Sequence, residues 1–321
     1  MGLFRRRKRG GVVHPTSTPT PAPEPDAAFP FFERAAADRF RSLVRETFAE
    51  AGLPVVVHPG HAVDAEGREF GLWNVAAICS DLHERNWRAT IEGHVDRVLS
   101  SWEAPSGFVG LEHDEAHFRA YSRLMDPAGV PRLDEHPHQE FAPGIVELIA
   151  LDKPDSIELF DAERVKEFGG FAALRASGIA NLGQLQVEQV EHVDTGEATF
   201  EVLGGDSVFT ASLALLMPGL AERLTGRRAT EHGWLLCLPD RHQIAWHLIE
   251  DAGVLAAVNT MAGFAAQAYA TMPGPLSPHL YWWDGSSYQQ LTSIADDGRI
   301  SITVGGRFQA MLEAVTRGER G

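Results

Sequence analysis

From Ala252 to Met272 the chain runs without a charged side chain. Such a stretch must be covered, either by lipid or by the rest of the protein, because a long uncharged surface is not left in water. Leu, Ile, Val and Phe are sparse in it, while alanines, Asn259, Thr260, Gln267, Thr271 and two glycines are plentiful. Alanine contributes little transfer energy, so the run predicts a helix buried in a protein core rather than a membrane span. A second subunit lying over it is the alternative cover. The chain therefore needs a sizeable core, and 321 residues with 44% hydrophobic and 22% charged side chains can build one.

Charge divides the chain into two objects. Lys and Arg number 28 against 44 Asp and Glu, a formal charge of −16. Five of the basic residues are Arg5, Arg6, Arg7, Lys8 and Arg9, so the remainder stands near −21. A body of that charge repels phosphate backbones, and Arg227-Arg228 is the only other basic pair, so nucleic-acid binding by the body is not expected. Pro15, Pro19, Pro21, Pro23 and Pro25 then predict an extended, solvated linker through residue 29. The basic tip suits weak, salt-sensitive contact with an anionic membrane surface, or with nucleic acid, confined to residues 1–10. No apolar run follows the tip, and position 6 is Arg where myristoylation wants Ser or Thr, which together predict a cytoplasmic protein, with the inner membrane surface within the tip's reach. Cys79 and Cys237 sit in apolar runs far apart, as reduced buried residues do.

Beyond the linker the chain reads as α+β, with mixed or antiparallel sheets packed with helices. Phe32, Ala36, Phe40, Leu43, Val44 and Phe48 recur at helical spacing between Pro30 and Gly52. Val55–Val57 and the segments around Ala65-Glu66-Gly67 read as strands, and 72–82 and 87–99 as helices. Residues 104–143 are less regular, with a short helix expected over 114–124. Ile145–Ile149 and 156–160 read as strands, Asp161 as an N-cap, and 171–185 as a helix. Val187–Val193 and Ala198–Leu203 flank Asp194-Thr195-Gly196-Glu197, the clearest hairpin. Thr210–Leu224 reads as one helix bent at Pro218, Trp234–Leu238 as a buried strand, His279–Trp283 and Ile300–Val304 as late strands, and Arg307–Val315 as the last helix. The irregular stretch suggests two lobes, 30–140 and 141–321.

The common catalytic signatures are missing: there is no Gly-Lys pair, no G-x-G, no H-E-x-x-H and no G-x-S-x-G. The best local candidate is His113-Asp114-Glu115-Ala116-His117. On a helix His113 and His117 share a face and suit one divalent metal, with His136 as a third ligand beside His138, Glu135 and Glu140. The bland alternative is a solvated, His-rich surface. His58-Pro59-Gly60-His61 explains itself as a tight turn, and Gly204-Gly205-Asp206-Ser207 as a turn whose Asp206 or Ser207 caps the next helix. His242 and His247 flank Trp246 and are expected buried. Tyr281-Trp282-Trp283 reads as strand packing, with an indole at a contact surface as the alternative.

Several segments, taken in order, are familiar. They are Leu72-Trp73-Asn74-Val75, Pro143-Gly144-Ile145-Val146 and Asp155-Ser156-Ile157, then Ala180-Asn181-Leu182, Ala211-Ser212 and Leu238-Pro239-Asp240-Arg241. Their order and spacing resemble the YtpQ-like bacterial proteins, a domain family of unknown function, over most of residues 30–290. No single motif carries the likeness, and the His-rich segment 113–138 stands outside it. The resemblance implies a cytosolic α+β protein and transfers no activity, cofactor or catalytic residue. The expectation is thus a binding or interaction module without catalysis, catalytic residues unknown, tethered by Arg5–Arg9 and partnered by an unidentified protein. The alternative is a metal-dependent hydrolase built on His113, His117 and His136.

Overall fold

In this computed structural model the described residues are 24–103, 105–154, 156–187, 189–295 and 297–318. The tip Arg5–Arg9 and its anionic contacts lie outside them. Helix α1 (Arg34–Glu50) turns Ala37, Phe40, Val44 and Phe48 inward at the expected spacing. It packs with the antiparallel strands β1 (Val55–Val57), β2 (His61–Asp64) and β3 (Glu69–Gly71), and with helices α2 (Trp73–Ser80) and α3 (Trp87–Glu103). Phe29, Phe32, Phe40, Trp73 and Trp87 form an aromatic cluster at the centre of this N-terminal region. The linker expected through residue 29 is therefore already folded by residue 24. Pro25 bridges Glu33, Asp26 accepts from the Ala28 and Phe29 N–H groups and pairs with Arg41 at 2.7 Å, and Phe29 is fully buried. One aspartate-built turn and one aromatic anchor outweigh the proline composition.

The middle of the chain builds a smaller sheet. It holds helix α4 (His113–Arg119), strands β4 (Ala120–Met125), β5 (His138–Ala142), β6 (Ile145–Asp152) and β7 (Ile157–Leu159), and helices α5 (Ala162–Glu167) and α6 (Phe171–Leu182). The order is β4-β6-β5, all antiparallel, with β7 on the end of β6. The boundary expected between residues 140 and 141 falls inside β5, and strands on both sides of it share this sheet. The helix expected over 114–124 stops at Arg119, and the rest is β4. Six paired residues of β6 hold it extended, an ordering from distant sequence that local periodicity does not carry. Asp161 does cap α5, accepting from Arg164 N at 2.8 Å.

The last region holds strands β8 (Gln189–Asp194) and β9 (Thr199–Gly204), a 3₁₀ segment Thr210–Leu216, α7 (Gly219–Thr225), β10 (Trp234–Cys237), β11 (Gln243–Leu248), α8 (Val254–Thr271), β12 (Leu280–Trp283) and β13 (Tyr288–Gln290). The pair β14 (Thr292–Ile294) and β15 (Ile300–Ile302) and helix α9 (Gly306–Gly318) complete it. Six strands form one antiparallel sheet in the order β13-β12-β10-β11-β9-β8. Alternation along β10 divides two cores: Trp234 and Leu236 face the smaller sheet, while Leu235 and Cys237 face α8 and α9. The single bent helix expected over 210–224 is two pieces, because Pro218 supplies no N–H to continue the first.

Helix α8 is the uncharged run, and it packs on the sheet through Val254, Ala257, Val258, Met261, Ala262 and Ala265. Its outer side is Asn, Thr, Gln and Ala, with Leu255 exposed. Among the described residues no helix is long and apolar enough to cross a membrane. Cys79 and Cys237 are both buried, and burial alone pushes the Cys79 thiol up to about 12.

Candidate anion-binding pocket

His113 and His117 share a face of α4 with ring centres 4.6 Å apart. His113 is exposed, whereas both nitrogens of His117 meet the protein, Nδ1 at 2.7 Å from Ser177 Oγ and Nε2 at 2.9 Å from the Phe168 carbonyl. His136 Nδ1 lies 3.1 Å from the Phe160 carbonyl. Among the described residues no group of three or more His, Cys, Asp or Glu is placed to hold a metal ion. His58 and His61 close a hairpin turn, and Ser207 Oγ accepts from Phe209 N, as its turn requires.

A different pair of residues, far apart in sequence, meets beside the edge of the smaller sheet. Asn181 fixes the start of β4 by donating from Nδ2 to the carbonyls of His117, Phe118 and Ala120 at 2.8–3.0 Å. Along the open edge, Leu124 N donates to Ser212 Oγ at 2.9 Å. Tyr121 and Arg123, two apart on this strand, project on one side of the sheet. Phe209 covers both: its ring stacks on Tyr121 at 4.4 Å, and the Arg123 guanidinium carbon lies 5.7 Å from its centre.

Arg241 comes from the turn between β10 and β11. That turn is zipped to the segment after β9 by Gly205 N to the His242 carbonyl at 3.1 Å and Ala211 N to the Arg241 carbonyl at 3.0 Å. Arg241 Nε donates to His242 Nε2 at 2.9 Å, which leaves the proton on Nδ1 to donate to the Gly205 carbonyl at 3.1 Å. Burial, then the neighbouring Arg241 cation, hold this imidazole below its ordinary value, so it stays neutral.

These side chains line a pocket of about 620 Å³ with Asp152, Lys153, Ser156, Ile157, Leu185, Ser207 and Val208, a size that suits a small organic ligand. Its electrostatics are uneven. Arg123 is 8% exposed, and its Nε and Nη1 are buried without an acceptor. Burial first, then repulsion from Arg241, push its guanidinium down to about 10. Arg241 is lowered by burial and only partly supported by Asp240. No carboxylate among the described residues lies within ion-pair distance of either guanidinium. Lys153 is paired with Glu158 at 3.3 Å, and burial raises the Asp152 carboxyl against the pull of Arg119. Asp240 accepts from His242 N at 2.7 Å through Oδ1, while Oδ2 is buried without a donor. Chemically, Arg123 and Arg241 are two guanidiniums beside the hydroxyls of Tyr121, Ser156 and Ser207 and an apolar wall, and among the described residues no carboxylate pairs with either.

Comparison of the chain with protein-family models, with curated proteins and with solved structures returns no match. Residues from distant parts of the chain meet around this pocket. Ser156 and Ile157 line it, Asn181 and Ser212 hold β4, and Asp240-Arg241 forms its far side. Reading charge by clusters in the sequence missed the site, since Arg123 and Arg241 are each single cations with no Lys or Arg adjacent in sequence. An arginine inside the run Tyr121–Met125 was the available signal.

Proposed function

We propose that this chain is a binding protein for a small organic anion, a phosphate or carboxylate head joined to an apolar body. One observation carries the reading: Arg123 is buried, cationic and without a counter-charge. An unpaired buried ion costs several kcal/mol, and an anion accepting charge-assisted hydrogen bonds from Arg123 and Arg241 removes that penalty. Ser156 and Ser207 supply neutral hydrogen bonds, and Ile157, Leu185, Val208 and Phe209 supply the surface for an apolar body.

Titration calorimetry with phenyl phosphate, benzoate and inorganic phosphate tests this. Phenyl phosphate or benzoate is expected to bind saturably and more tightly than inorganic phosphate. Arg123→Met and Arg241→Met are each expected to weaken binding about tenfold or more, the worth of a charge-assisted hydrogen bond. Absence of saturable binding by all three anions, or undiminished binding by both variants, overturns the reading.

A further inference from the structure

The backbone that supports Arg241 is held from its other side by the N-terminal region. Gly274 N donates to Asn74 Oδ1 at 2.7 Å, and Trp73 Nε1 donates to the Met272 carbonyl at 3.1 Å. Both residues lie in the first turn of α2. Gly274 in turn accepts from Arg241 N at 2.9 Å, and Asp240 bridges Pro275. The contact between Gly274 and the arginine stem is close. Gly274 sits at φ +72°, and a Cβ there would lie 2.7 Å from Arg241 Cδ, 2.8 Å from Nε and 2.9 Å from Cγ. Only a glycine admits both that conformation and that approach. The Arg241 side chain therefore rests on the Gly274 backbone, which sets its Nε against His242 Nε2.

We propose that Asn74 is a positioning residue for the anion pocket: by holding Gly274 it fixes Arg241, and so couples seating of the N-terminal region to ligand binding. The proposal rests on the anion-binding reading of the pocket for its functional consequence, but not for its geometry. Coupling of this kind is reciprocal, so an anion on Arg241 also tightens the Asn74–Gly274 contact. Trp73 acts on the same loop two residues earlier and is the independent second hold.

The test uses the full chain and two readouts. The first needs no ligand: the rate at which phenylglyoxal modifies Arg241, followed by peptide mass spectrometry. Asn74→Ala is expected to raise that rate about fivefold, a modest coupling on the usual scale. Asn74→Asp keeps an acceptor for Gly274 N and is expected to react at the wild-type rate. Equal rates in Asn74→Ala and wild type overturn the proposal whatever the pocket binds. The second readout is phenyl phosphate affinity, expected to fall about fivefold in Asn74→Ala. If wild type binds and Asn74→Ala binds equally well, positioning fails while the anion reading stands. If wild type does not bind, the anion reading fails and the ligand-free rate decides positioning alone. Should Asn74→Ala not fold, Asn74→Leu, of similar size but with no acceptor for Gly274 N, is read by the same two measurements, with the same outcomes.

Discussion

Glu147 and Arg123 stand on neighbouring strands of one small sheet, both more than nine-tenths buried, and they differ in what meets their charge. Glu147 is answered by the chain. Its Oε2 accepts from Arg175 Nε at 3.0 Å and from Gln139 Nε2 at 2.6 Å, and its Oε1 lies 2.8 Å from the same guanidinium without hydrogen-bond alignment. Arg123 has a ring beside it and a second cation near it, and no acceptor for Nε or Nη1. A buried ion that the fold completes is structural. A buried ion that the fold leaves open, at the wall of a pocket, is placed for something that arrives later.

The largest effect expected from this contrast is at the completed pair. Arg175→Met leaves a buried carboxylate with only Gln139, and breaking such a pair costs about 3 to 5 kcal/mol. Arg175 is itself 37% exposed, so water reaches the site and the loss belongs near 3 kcal/mol in urea denaturation. A loss below about 1 kcal/mol would mean that water answers the Glu147 charge, and the contrast with Arg123 would lose its structural half.

Asp240 offers a second orphan beside the pocket, now an acid. Burial raises its pKa from 3.8 to about 6, against the opposing pull of the His242 N–H and Arg241. A carboxyl that binds its proton more tightly when folded stabilises the protein below the unfolded pKa, and that gain disappears as pH rises through the folded one. Wild type is therefore expected to lose about 2 to 3 kcal/mol relative to Asp240→Asn between pH 4 and pH 6, and to stay level above it. The comparison with Asp240→Asn cancels the groups that titrate the other way, such as Asp26 and Glu158, whose pKa values are lowered. A difference between the two proteins that is flat with pH would show that Asp240 finds a donor in solution.

Much of the frame was legible in the sequence, and the pocket was not. The turn at Asp194–Gly196 carries its own geometry, with Asp194 Oδ1 accepting from Gly196 N at 2.7 Å, so the hairpin could be read from four residues. The uncharged run became α8 because composition alone forbids its exposure, and its polar outer side explains why a covered helix needs no leucine stripe all round. Strand β4 failed as a local reading because His113–Arg119 starts a helix and only pairing with β6 ends it. With β4 read as helix, Arg123 had no reason to be buried. Arg241 was visible in the segment Leu238-Pro239-Asp240-Arg241, but its partner in space was hidden by that error. Sites made from isolated residues on distant strands leave no local pattern. The His113–His117 pair, by contrast, drew the eye because it is local, and its His117 nitrogens are occupied by Ser177 and Phe168.

The smallest change tests the central point most directly. Replacing Arg123 by methionine removes a buried cation, and its flexible apolar chain fills most of the same space. If the charge is uncompensated, as the missing acceptors indicate, the variant is expected to be more stable than wild type by about 1 kcal/mol. The face contact with Phe209 opposes that gain by about the same order, which keeps the net effect small. The sign still separates the two buried ions: loss of Arg175 unfolds the protein more easily, and loss of Arg123 does not. Destabilisation of Arg123→Met by more than about 2 kcal/mol would mean that the arginine is a structural ion like Glu147. The same pair of proteins gives the converse reading with an anion present. At a phenyl phosphate concentration a hundredfold above Kd, wild type is expected to gain about 2.7 kcal/mol and Arg123→Met, with a Kd at least about tenfold weaker, about 1.4 kcal/mol or less, so that the order of their stabilities reverses. A ligand that stabilises both equally would bind elsewhere on the molecule, and the open charge at Arg123 would need another explanation.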